Sequence, residues 1–345
     1  MKAVYYVGDL HMEMRDIPVP TPAEGEYLIK IDACGICGSD YEGFLGKTGR
    51  RIAPMIMGHE CAGTIEKAPA GGSYPPGTKV AIFPKFFCGE CENCKKGLVN
   101  LCTNASRYLG VLADDGAMTE YICAKETYLI PYEGVSADIA SMAEPAAVAY
   151  NGVSKLSDEQ IASAENILVV GAGTIGLLVL LWLKYRGAKH VIVSDATDFR
   201  LELAKKMGAD ATVNPSTCGD FTQAISELTG GKMCDLSVEA VGISPTAASS
   251  IDALKDAGMA VWIGNAAKMV SIDMQKVVTK ELEIKGNYIY SLDDFKTCVR
   301  LLAEQRIDVR PMITHHMDLS QGVEAFERLR NNKDGRAVKI ILTND

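Results

Sequence analysis

The chain has 345 residues, 35 of them basic and 44 acidic, which gives a formal net charge of −9, and 48% of its residues are hydrophobic. This length predicts about two domains, and the hydrophobic fraction is sufficient for two packed cores. The acidic balance argues against a general nucleic-acid-binding protein, because such proteins gain their affinity largely from basic surface.

The N-terminus and the longest apolar runs bear on the compartment. The start, MKAVYYVGDL, holds only the apolar run AVYYV, which is shorter than the roughly 7–15 apolar residues of a signal peptide. The longest apolar run, LLVLLWL at 177–183, is far shorter than the roughly 20 residues of a membrane span. We therefore expect a cytoplasmic protein without a membrane partner. In that compartment its 11 cysteines are expected to be free or metal-bound.

The pattern of apolar runs in the sequence changes near residue 149. Up to residue 148, short apolar runs such as EYLIKIDAC and GTKVAIF lie among glycines and prolines, which predicts short strands joined by turns. Over 149–287, the apolar runs NILVVG, VIVSD, CDLSVEAVG, MAVWIG and ELEIKGN alternate with helical segments, which predicts a parallel sheet covered on both faces. The segment 288–345 holds an amphipathic helix and the strand-like AVKIILT, and we expect it to rejoin the first domain.

Three stretches of the first domain hold candidate ligands for a catalytic metal ion. ACGICGSD contains Cys34 and Cys37, MGHECAG contains His59 and Glu60, and AEPAAVAY contains Glu144. A catalytic zinc site uses about three protein ligands and leaves one position open, so one thiolate, one imidazole and one or two carboxylates would serve. No spacing among them is decisive, and the alternative is that they are ordinary turn and cap residues.

A second cysteine cluster lies within residues 86–103, with the spacing C-x2-C-x2-C-x7-C. It consists of Cys88, Cys91, Cys94 and Cys102. Four thiolates complete the coordination of a structural zinc ion and leave no position for a substrate. The main rival is an iron–sulfur cluster, although ferredoxin-type runs place their fourth cysteine differently.

The stretch GAGTIG has the G-x-G-x-x-G pattern, follows a predicted strand and opens a predicted helix. Gly171 would permit the tight turn, Gly173 would let the backbone approach a pyrophosphate, and Gly176 would let helix and strand pack closely. Thr174 and Ile175, between the last two glycines, would lie at the helix N-terminus, whose N–H groups bind phosphate.

An acidic residue ends the next predicted strand, VIVSD. Asp195 would accept hydrogen bonds from ribose hydroxyls and repel a 2′-phosphate, which favours NAD over NADP. Arg200, five residues later, is placed to touch the adenosine ribose. The alternative is a glycine turn that only packs a helix on a sheet, with Asp195 as a helix cap.

Taken together and in this order, CGICGSD, GHECAG, the four-cysteine spacing, the EP pair and GAGTIG resemble the zinc-dependent medium-chain dehydrogenase/reductases over essentially the whole chain. Within that superfamily the chain looks most similar to the polyol dehydrogenases, such as sorbitol and galactitol-1-phosphate dehydrogenases. The resemblance implies an α/β fold. It combines a Rossmann domain with a doubly wound parallel sheet (149–287) and a mostly-β GroES-like catalytic domain (1–148 and 288–345).

The resemblance also implies roles for single residues and a reaction. Cys37 rather than Cys34 binds the catalytic zinc, with His59 and either Glu60 or Glu144, and the hydroxyl of Ser39 passes the proton outward. The implied enzyme is an NAD-dependent zinc dehydrogenase with two zinc ions per chain. It oxidises a secondary hydroxyl of a polyol or sugar alcohol to the ketone. A threonine or butanediol substrate is an alternative.

Two departures from the family pattern leave the proton relay and the substrate contacts open. Many relatives carry a histidine at the position of Glu42, and sorbitol dehydrogenase carries an arginine where this chain has Ile289. Lys47, Arg50 and Arg51 lie between the Cys37 and His59 motifs, so a phosphorylated hexitol is one candidate substrate. The other interpretation is a solvated basic loop.

Other classes of protein explain fewer of these features. A zinc-independent reductase or a non-catalytic NAD-binding redox sensor would not need Cys37, His59 and Glu144, and a nucleic-acid-binding zinc protein disagrees with the net charge. The resemblance also implies a homodimer or homotetramer that assembles partly through an edge of the Rossmann sheet. MAVWIG and the segments after it are candidates for that edge.

Overall fold

The computed structural model describes residues 1–344, which form two compact units. The first comprises Met1–Glu144, Tyr290–Lys333 and the stretch from Lys339 onward, and the second comprises Pro145–Ile289 and Asp334–Val338. The short segment 334–338 therefore clusters with the second unit, whereas the sequence assigned it to the first. Among the described residues, no helix has the length and apolar character that a membrane span requires.

The N-terminal part of the first unit consists mainly of short strands, as the Gly- and Pro-rich sequence predicts. Its ten strands are β1 (Lys2–Gly8), β2 (His11–Asp16), β3 (Glu26–Gly35), β4 (Met55–Ile56), β5 (Glu60–Lys67), β6 (Lys79–Ile82), β7 (Lys85–Phe86), β8 (Arg107–Tyr108), β9 (Tyr121–Lys125) and β10 (Leu129–Pro131). The helices are α1 (Gly38–Phe44), α2 (Glu92–Lys95), α3 (Ala137–Ser141) and α4 (Ala143–Val153), the last of which runs into the second unit.

The second unit alternates strands and helices. The helices are α5 (Asp158–Ser163), α6 (Thr174–Tyr185), α7 (Asp198–Lys206), α8 (Phe221–Leu228), α9 (Ser244–Asp252) and α10 (Met274–Thr279). The strands are β11 (Ile167–Val170), β12 (Val191–Ser194), β13 (Ala211–Val213), β14 (Cys234–Glu239), β15 (Leu254–Trp262) and β16 (Glu283–Gly286). The chain then returns to the first unit as α11 (Leu292–Ala303), β17 (Ile313–Asp318), α12 (Gly322–Arg330) and β18 (Lys339–Thr343).

The strands of the second unit form one parallel sheet in the order β13-β12-β11-β14-β15-β16. The order reverses between β11 and β14, which is the position where doubly wound sheets bind ligands at the carboxyl ends of their strands. The central strands β11 and β12 are buried along their whole length because helices cover both faces of a parallel sheet, and fully buried core residues include Leu168, Ile192 and Ala260. Of the candidates for the edge, MAVWIG in β15 lies inside the sheet, where it pairs with β14 and β16, and the later segment β16 is the edge strand.

The first unit is organised around β3. A seven-stranded sheet has the order β10-β6-β5-β3-β18-β17, with β9 also paired to β3, and a separate sheet has the order β2-β1-β4. The ten-residue strand β3 is mostly buried and joins strands from both ends of the chain. Its carboxyl end, at Gly35, faces Glu60 of β5 and Ile341 of β18, which brings three distant segments to one point.

Candidate active site

Cys37, His59 and Glu60 lie together at the carboxyl end of β3. Cys37 is the N-cap of α1 and follows β3 by two residues, while His59 and Glu60 stand where β5 begins, opposite Gly35. The ligand atoms of the three side chains all lie within 4.8 Å of one another. A thiolate, an imidazole and a carboxylate converging in this way fit a zinc ion with a fourth position left for substrate or water.

A buried carboxylate lies behind the imidazole. Oδ1 of Asp40 is 3.5 Å from Nδ1 of His59, and Asp40 is fully buried. Burial by itself raises the pKa of Asp40, but His59 and Arg51 together lower it below its ordinary value. A carboxylate behind a metal-binding histidine orients the ring and fixes its tautomer.

Glu60 is paired with a lysine from the other end of the chain. Nζ of Lys339, at the start of β18, donates to Oε2 of Glu60 at 2.6 Å and to the carbonyl of Ile36 at 3.1 Å. Burial lowers the pKa of Lys339, but Glu60 and Cys37 raise it above its ordinary value. Gly35 makes room for this arrangement, because a Cβ there would lie 2.2 Å from Oε2 of Glu60.

Glu144 lies outside the cluster of three and is turned towards an aromatic hydroxyl. The hydroxyl of Tyr290 donates to Oε1 of Glu144 at 2.8 Å, and both residues are buried. Burial is the main reason that the pKa of Glu144 is raised to about 7, while His59 and the Tyr290 hydroxyl act in the opposite direction. In this arrangement Glu60, and not Glu144, stands with Cys37 and His59.

The hydroxyl of Ser39 lies beside the thiol of Cys37. Its Oγ is 3.3 Å from Sγ of Cys37 and accepts a hydrogen bond from Nη2 of Arg51 at 3.0 Å. The prediction that Arg51 belongs to a solvated or phosphate-binding loop was wrong. Its guanidinium is buried against Asp40, with the side chain 2% exposed, whereas Lys47 and Arg50 are exposed.

The four cysteines of residues 86–103 also converge. All four Sγ atoms lie within 4.8 Å of one another, with measured separations of 3.5 Å (Cys88 to Cys102), 3.9 Å (Cys88 to Cys94) and 3.9 Å (Cys91 to Cys102). A tetrahedron with Zn–S bonds of about 2.3 Å has sulfur–sulfur edges of about 3.8 Å. Backbone N–H groups of Cys88 and Cys91 donate to sulfur, as they do around thiolates. The donor set and its size therefore fit zinc.

The glycine turn of the second unit connects β11 to α6. Gly171 has φ of +100°, and a Cβ on Gly176 would lie 1.7 Å from the carbonyl oxygen of Gly171. Gly173 is the N-cap of α6, and a Cβ there would meet nothing within 4 Å. The hydroxyl of Thr174 donates to the carbonyl of Val338. The first and last glycines thus allow the close packing, and the middle one leaves the backbone open to a phosphate.

Asp195 is hydrogen-bonded to the backbone of the glycine turn. It follows β12 and accepts hydrogen bonds from the backbone N–H of Ala172 at 2.8 Å and of Thr197 at 2.9 Å. Nη1 of Arg200 lies 3.9 Å from the same carboxylate, and Nε of Arg200 donates to the carbonyl of Gly335. A carboxylate has about four acceptor positions, so these two backbone bonds leave capacity for ribose hydroxyls.

Three further residues from the sequence analysis take defined positions. Cys34 is 1% exposed and points into the sheet core, where burial raises its pKa well above the ordinary value. Glu42, in α1, has a raised pKa because it is partly buried. Ile289 has φ of +40° and accepts a hydrogen bond at its carbonyl from Asn151.

The sequence analysis missed Asp40, Tyr290 and Lys339 as parts of the site. A signal for Asp40 was present, because an acidic residue three positions after a helix N-cap accepts from the cap N–H, as Asp40 does from Cys37 at 3.2 Å. Tyr290 and Lys339 carry no such local signal. They reach the site only because the fold brings distant segments together, as in the hydrogen bonds of Tyr290 to Glu144 and of Lys339 to Glu60.

The fold, a thiolate–imidazole–carboxylate cluster, a four-cysteine cluster and a glycine turn define a class of protein: a zinc-dependent dehydrogenase with a nucleotide-binding sheet. Two family profiles match the chain, "Alcohol dehydrogenase GroES-like domain" over residues 23–134 and "Zinc-binding dehydrogenase" over residues 174–304.

Relatives match along nearly the whole chain. Sorbitol dehydrogenase from Gallus gallus is 32% identical over 99% of this chain and 95% of its own length, and L-threonine 3-dehydrogenase from Shewanella woodyi is 32% identical over 94% and 95%. The crystal structure of galactitol-1-phosphate dehydrogenase from Escherichia coli superimposes with a TM-score of 0.89 at 26% identity, covering 99% of this chain and 100% of that one. The chain belongs to the zinc-dependent medium-chain dehydrogenase/reductase family.

These findings confirm the family, the GroES-like plus Rossmann fold class and the enzyme class, an NAD-dependent zinc alcohol dehydrogenase. The substrate is a small molecule, since polyol and sugar-alcohol dehydrogenases are among the relatives. The relatives act on different alcohols, so their names do not single out one substrate.

Proposed function

We propose that the protein oxidises a secondary hydroxyl of a free polyol or sugar alcohol to the ketone, with NAD⁺ as the hydride acceptor. The balanced reaction is R₂CHOH + NAD⁺ → R₂C=O + NADH + H⁺. The observation that carries the proposal is the cluster of Cys37, His59 and Glu60, which offers three ligands and an open fourth position beside the hydroxyl of Ser39. A zinc ion bound there supplies a Lewis acid that lowers the pKa of the substrate hydroxyl.

The residues of the chain hold and move the proton. Asp40 orients the ring of His59, and Lys339 holds one oxygen of Glu60. The hydroxyl of Ser39, which is partly exposed, accepts the proton of the substrate hydroxyl and passes its own proton to solvent water, so that no net charge stays on serine. Glu144, held by Tyr290, stands as a second carboxylate near His59 and Glu60.

The cofactor assignment rests on the glycine turn and the acid after β12. Gly171, Gly173 and Gly176 open the N-terminus of α6 to the pyrophosphate, with Thr174 and Ile175 in its first turn. Asp195 favours the free 2′-hydroxyl of NAD over a 2′-phosphate, with Arg200 at its side. We propose two zinc ions per chain, one at Cys37, His59 and Glu60 and the other at the four-cysteine cluster.

A free substrate is favoured over a phosphorylated one by the position of Arg51. Its guanidinium already binds Asp40 and Ser39 in the interior, so it does not contribute to a surface phosphate site. Of the three basic residues in the loop, Lys47 and Arg50 are exposed. A phosphate site built on two exposed side chains has less preorganisation than one with a buried arginine.

The test is NADH formation by zinc-replete protein with sorbitol, xylitol, galactitol, threonine, butanediol and phosphorylated hexitols. We expect turnover on free polyols that is lost in Cys37→Ser and retained when Lys47 and Arg50 are both changed to Gln. Turnover confined to phosphorylated hexitols, and lost in the Lys47→Gln/Arg50→Gln variant, would move the proposal to a sugar-phosphate substrate. Full turnover in Cys37→Ser would remove the metal site from the reaction.

Assembly is part of the proposal. A homodimer or homotetramer that uses the edge strand β16 would cover its unpaired backbone groups. Light scattering after gel filtration gives the number of chains, and a proline at Ile284 in β16 is expected to yield monomers.

A further inference from the structure

Arg51 is the buried cation of the candidate active site that the proposed reaction leaves without a role. Its Nε and Nη2 lie 3.1 Å and 2.7 Å from Oδ1 of Asp40, and Nη2 also donates to Oγ of Ser39 at 3.0 Å. The side chain is 2% exposed, and that of Asp40 is fully buried. One guanidinium thus contacts both the acid behind His59 and the hydroxyl beside Cys37.

The surrounding chain is built to hold Arg51 there. Gly43 of α1 lies against its aliphatic stem, and a Cβ at that position would stand 2.1 Å from Cγ of Arg51. Two backbone hydrogen bonds with Leu112 fix the flanking backbone. The N–H of Ile52 donates to the carbonyl of Leu112 at 2.9 Å, and the N–H of Leu112 donates to the carbonyl of Arg50 at 2.7 Å. A side chain that only needed to reach solvent would not require this packing.

The chemistry of the guanidinium determines how the Ser39 hydroxyl is directed. Arginine only donates hydrogen bonds, so Nη2 occupies one acceptor position of Oγ and cannot receive the hydroxyl proton. The O–H of Ser39 must therefore point elsewhere, and Sγ of Cys37 lies 3.3 Å away. One acceptor position of Oγ stays available for a substrate hydroxyl.

We propose that Arg51 is a positioning residue that fixes the Ser39 hydroxyl and the Asp40 carboxylate in one arrangement. The guanidinium then acts on both ligands indirectly: through Ser39 it orients Cys37, and through Asp40 it orients His59. The inference rests on the proposed role of Ser39, and it adds a residue that acts on two ligands without touching metal or substrate.

The test uses the thiolate-to-cobalt absorption band of protein loaded with Co²⁺, because that band reports the hydrogen bond received by the Cys37 sulfur. The spectrum of Cys37→Ser is subtracted from each spectrum to remove the contribution of the four-cysteine cluster. The variants are Arg51→Gln, Arg51→Lys, Ser39→Ala and the double variants, with Arg50→Gln as the matched control one residue away.

We expect Arg51→Gln to shift the band in the same direction as Ser39→Ala. Arg51→Lys is expected to restore part of the shift because lysine keeps a positive charge and only donates hydrogen bonds, whereas the glutamine amide also accepts them. In the Ser39→Ala background the Arg51 changes are expected to add nothing, since residues in one network are not additive. Arg50→Gln is expected to leave the band unchanged.

An unshifted band in Arg51→Lys and Arg51→Gln would overturn the inference. So would an equal shift with and without Ser39, which is the signature of a purely structural role. If Arg51→Gln does not fold, Arg51→Lys with and without Ser39 decides the question. Turnover on the alcohol panel tests the proposed function separately, because the spectrum is read whether or not a variant is active.

Discussion

Glu60 is held by a lysine that is as deeply buried as the carboxylate itself. Both side chains are 1% exposed, and the two charged atoms are 2.6 Å apart. Removing one partner of such a pair leaves a buried charge uncompensated, which costs about 3–5 kcal/mol. We therefore expect Lys339→Met to lower the free energy of unfolding of the zinc-stripped protein by about 3–5 kcal/mol, as measured by urea denaturation.

Two controls accompany this prediction: substitution of a lysine on the surface, and a double variant in which both charges of the pair are removed. Lys333→Met changes an exposed residue and is expected to leave stability within about 0.5 kcal/mol. Glu60→Gln combined with Lys339→Met removes both charges and is expected to recover part of the loss. If Lys339→Met unfolds at the same urea concentration as the wild type, the pair does not hold Glu60.

Glu144 makes the stability of the first unit depend on pH. Burial is the main cause that raises its pKa from 4.5 to about 7. The folded state therefore holds more protons than the unfolded state between these values, and this contribution to stability is lost as the pH rises from 4.5 to about 7. Because glutamine stays neutral, we expect Glu144→Gln to be more stable than the wild type at pH 8, by up to about 3 kcal/mol, and equally stable near pH 4.5.

Urea denaturation of the zinc-stripped proteins across this pH range measures the difference. Glu133→Gln, at an exposed position of the same unit, is the matched control and is expected to show no such pH dependence relative to the wild type. A constant difference between Glu144→Gln and the wild type at all pH values would mean that Glu144 titrates alike in the folded and unfolded states.

The sequence allowed the site residues that stand in short motifs to be predicted, but not those that are distant from the motifs along the chain. Cys37, His59 and Glu60 stand in short motifs, and Asp40 lies within one of them. Lys339 is separated from Glu60 by 279 positions, and only the pairing of β18 with β3 brings the two together. Arg51 was misplaced for a related reason, because a basic run gives no sign of which member turns inward.

At the scale of the element, different glycines of the turn between β11 and α6 serve packing and cofactor binding. A Cβ at Gly176 would collide with the carbonyl of Gly171 at 1.7 Å, so α6 must move away from the strand. We expect Gly176→Ala to lower the free energy of unfolding by about 1–3 kcal/mol. Gly173→Ala, whose Cβ meets nothing within 4 Å, is expected to keep stability while NADH binding weakens.

Thermal melting and an NADH fluorescence titration distinguish the two effects in the same pair of proteins. If Gly173→Ala binds NADH as tightly as the wild type, the turn does not contact the cofactor. If Gly176→Ala is as stable as the wild type, the close approach of helix and strand is not required.

The alternation of strands and helices in the second unit was predictable where the strands are apolar runs, as in β11 and β12, and where a helix is long enough to show its period, as in α6 with 12 residues. The order of the strands was harder to predict: MAVWIG and the segments after it were candidates for the edge, and only the later segment β16 lies there. In the first unit, β4, β7 and β8 have two residues each. A two-residue strand carries no periodicity, and only its partner defines it.

At the scale of the whole molecule, residues 1–344 hold two clusters of metal-ligating side chains that differ in purpose. In the four-cysteine cluster every ligand is a cysteine, and the lobe around it has little apolar core, with Leu98 and Leu101 exposed. Such a lobe depends on its metal for order. The cluster at Cys37 lies in the sheet core beside the buried Lys339 and Asp40, which keep it organised through the protein itself.

The two clusters therefore predict different responses to the loss of one ligand. Elemental analysis should find two zinc ions per wild-type chain and one in both Cys37→Ser and Cys94→Ser. Cys94→Ser leaves three thiolates and Cys37→Ser leaves only His59 and Glu60, and neither incomplete set holds its ion tightly. Limited proteolysis is expected to cut within 86–103 only in Cys94→Ser, since order in that lobe comes from its metal. Cys218→Ser, outside both clusters, should keep two ions and resist cleavage. Two ions in Cys94→Ser, or cleavage of Cys37→Ser in the same lobe, would show that the clusters do not act separately.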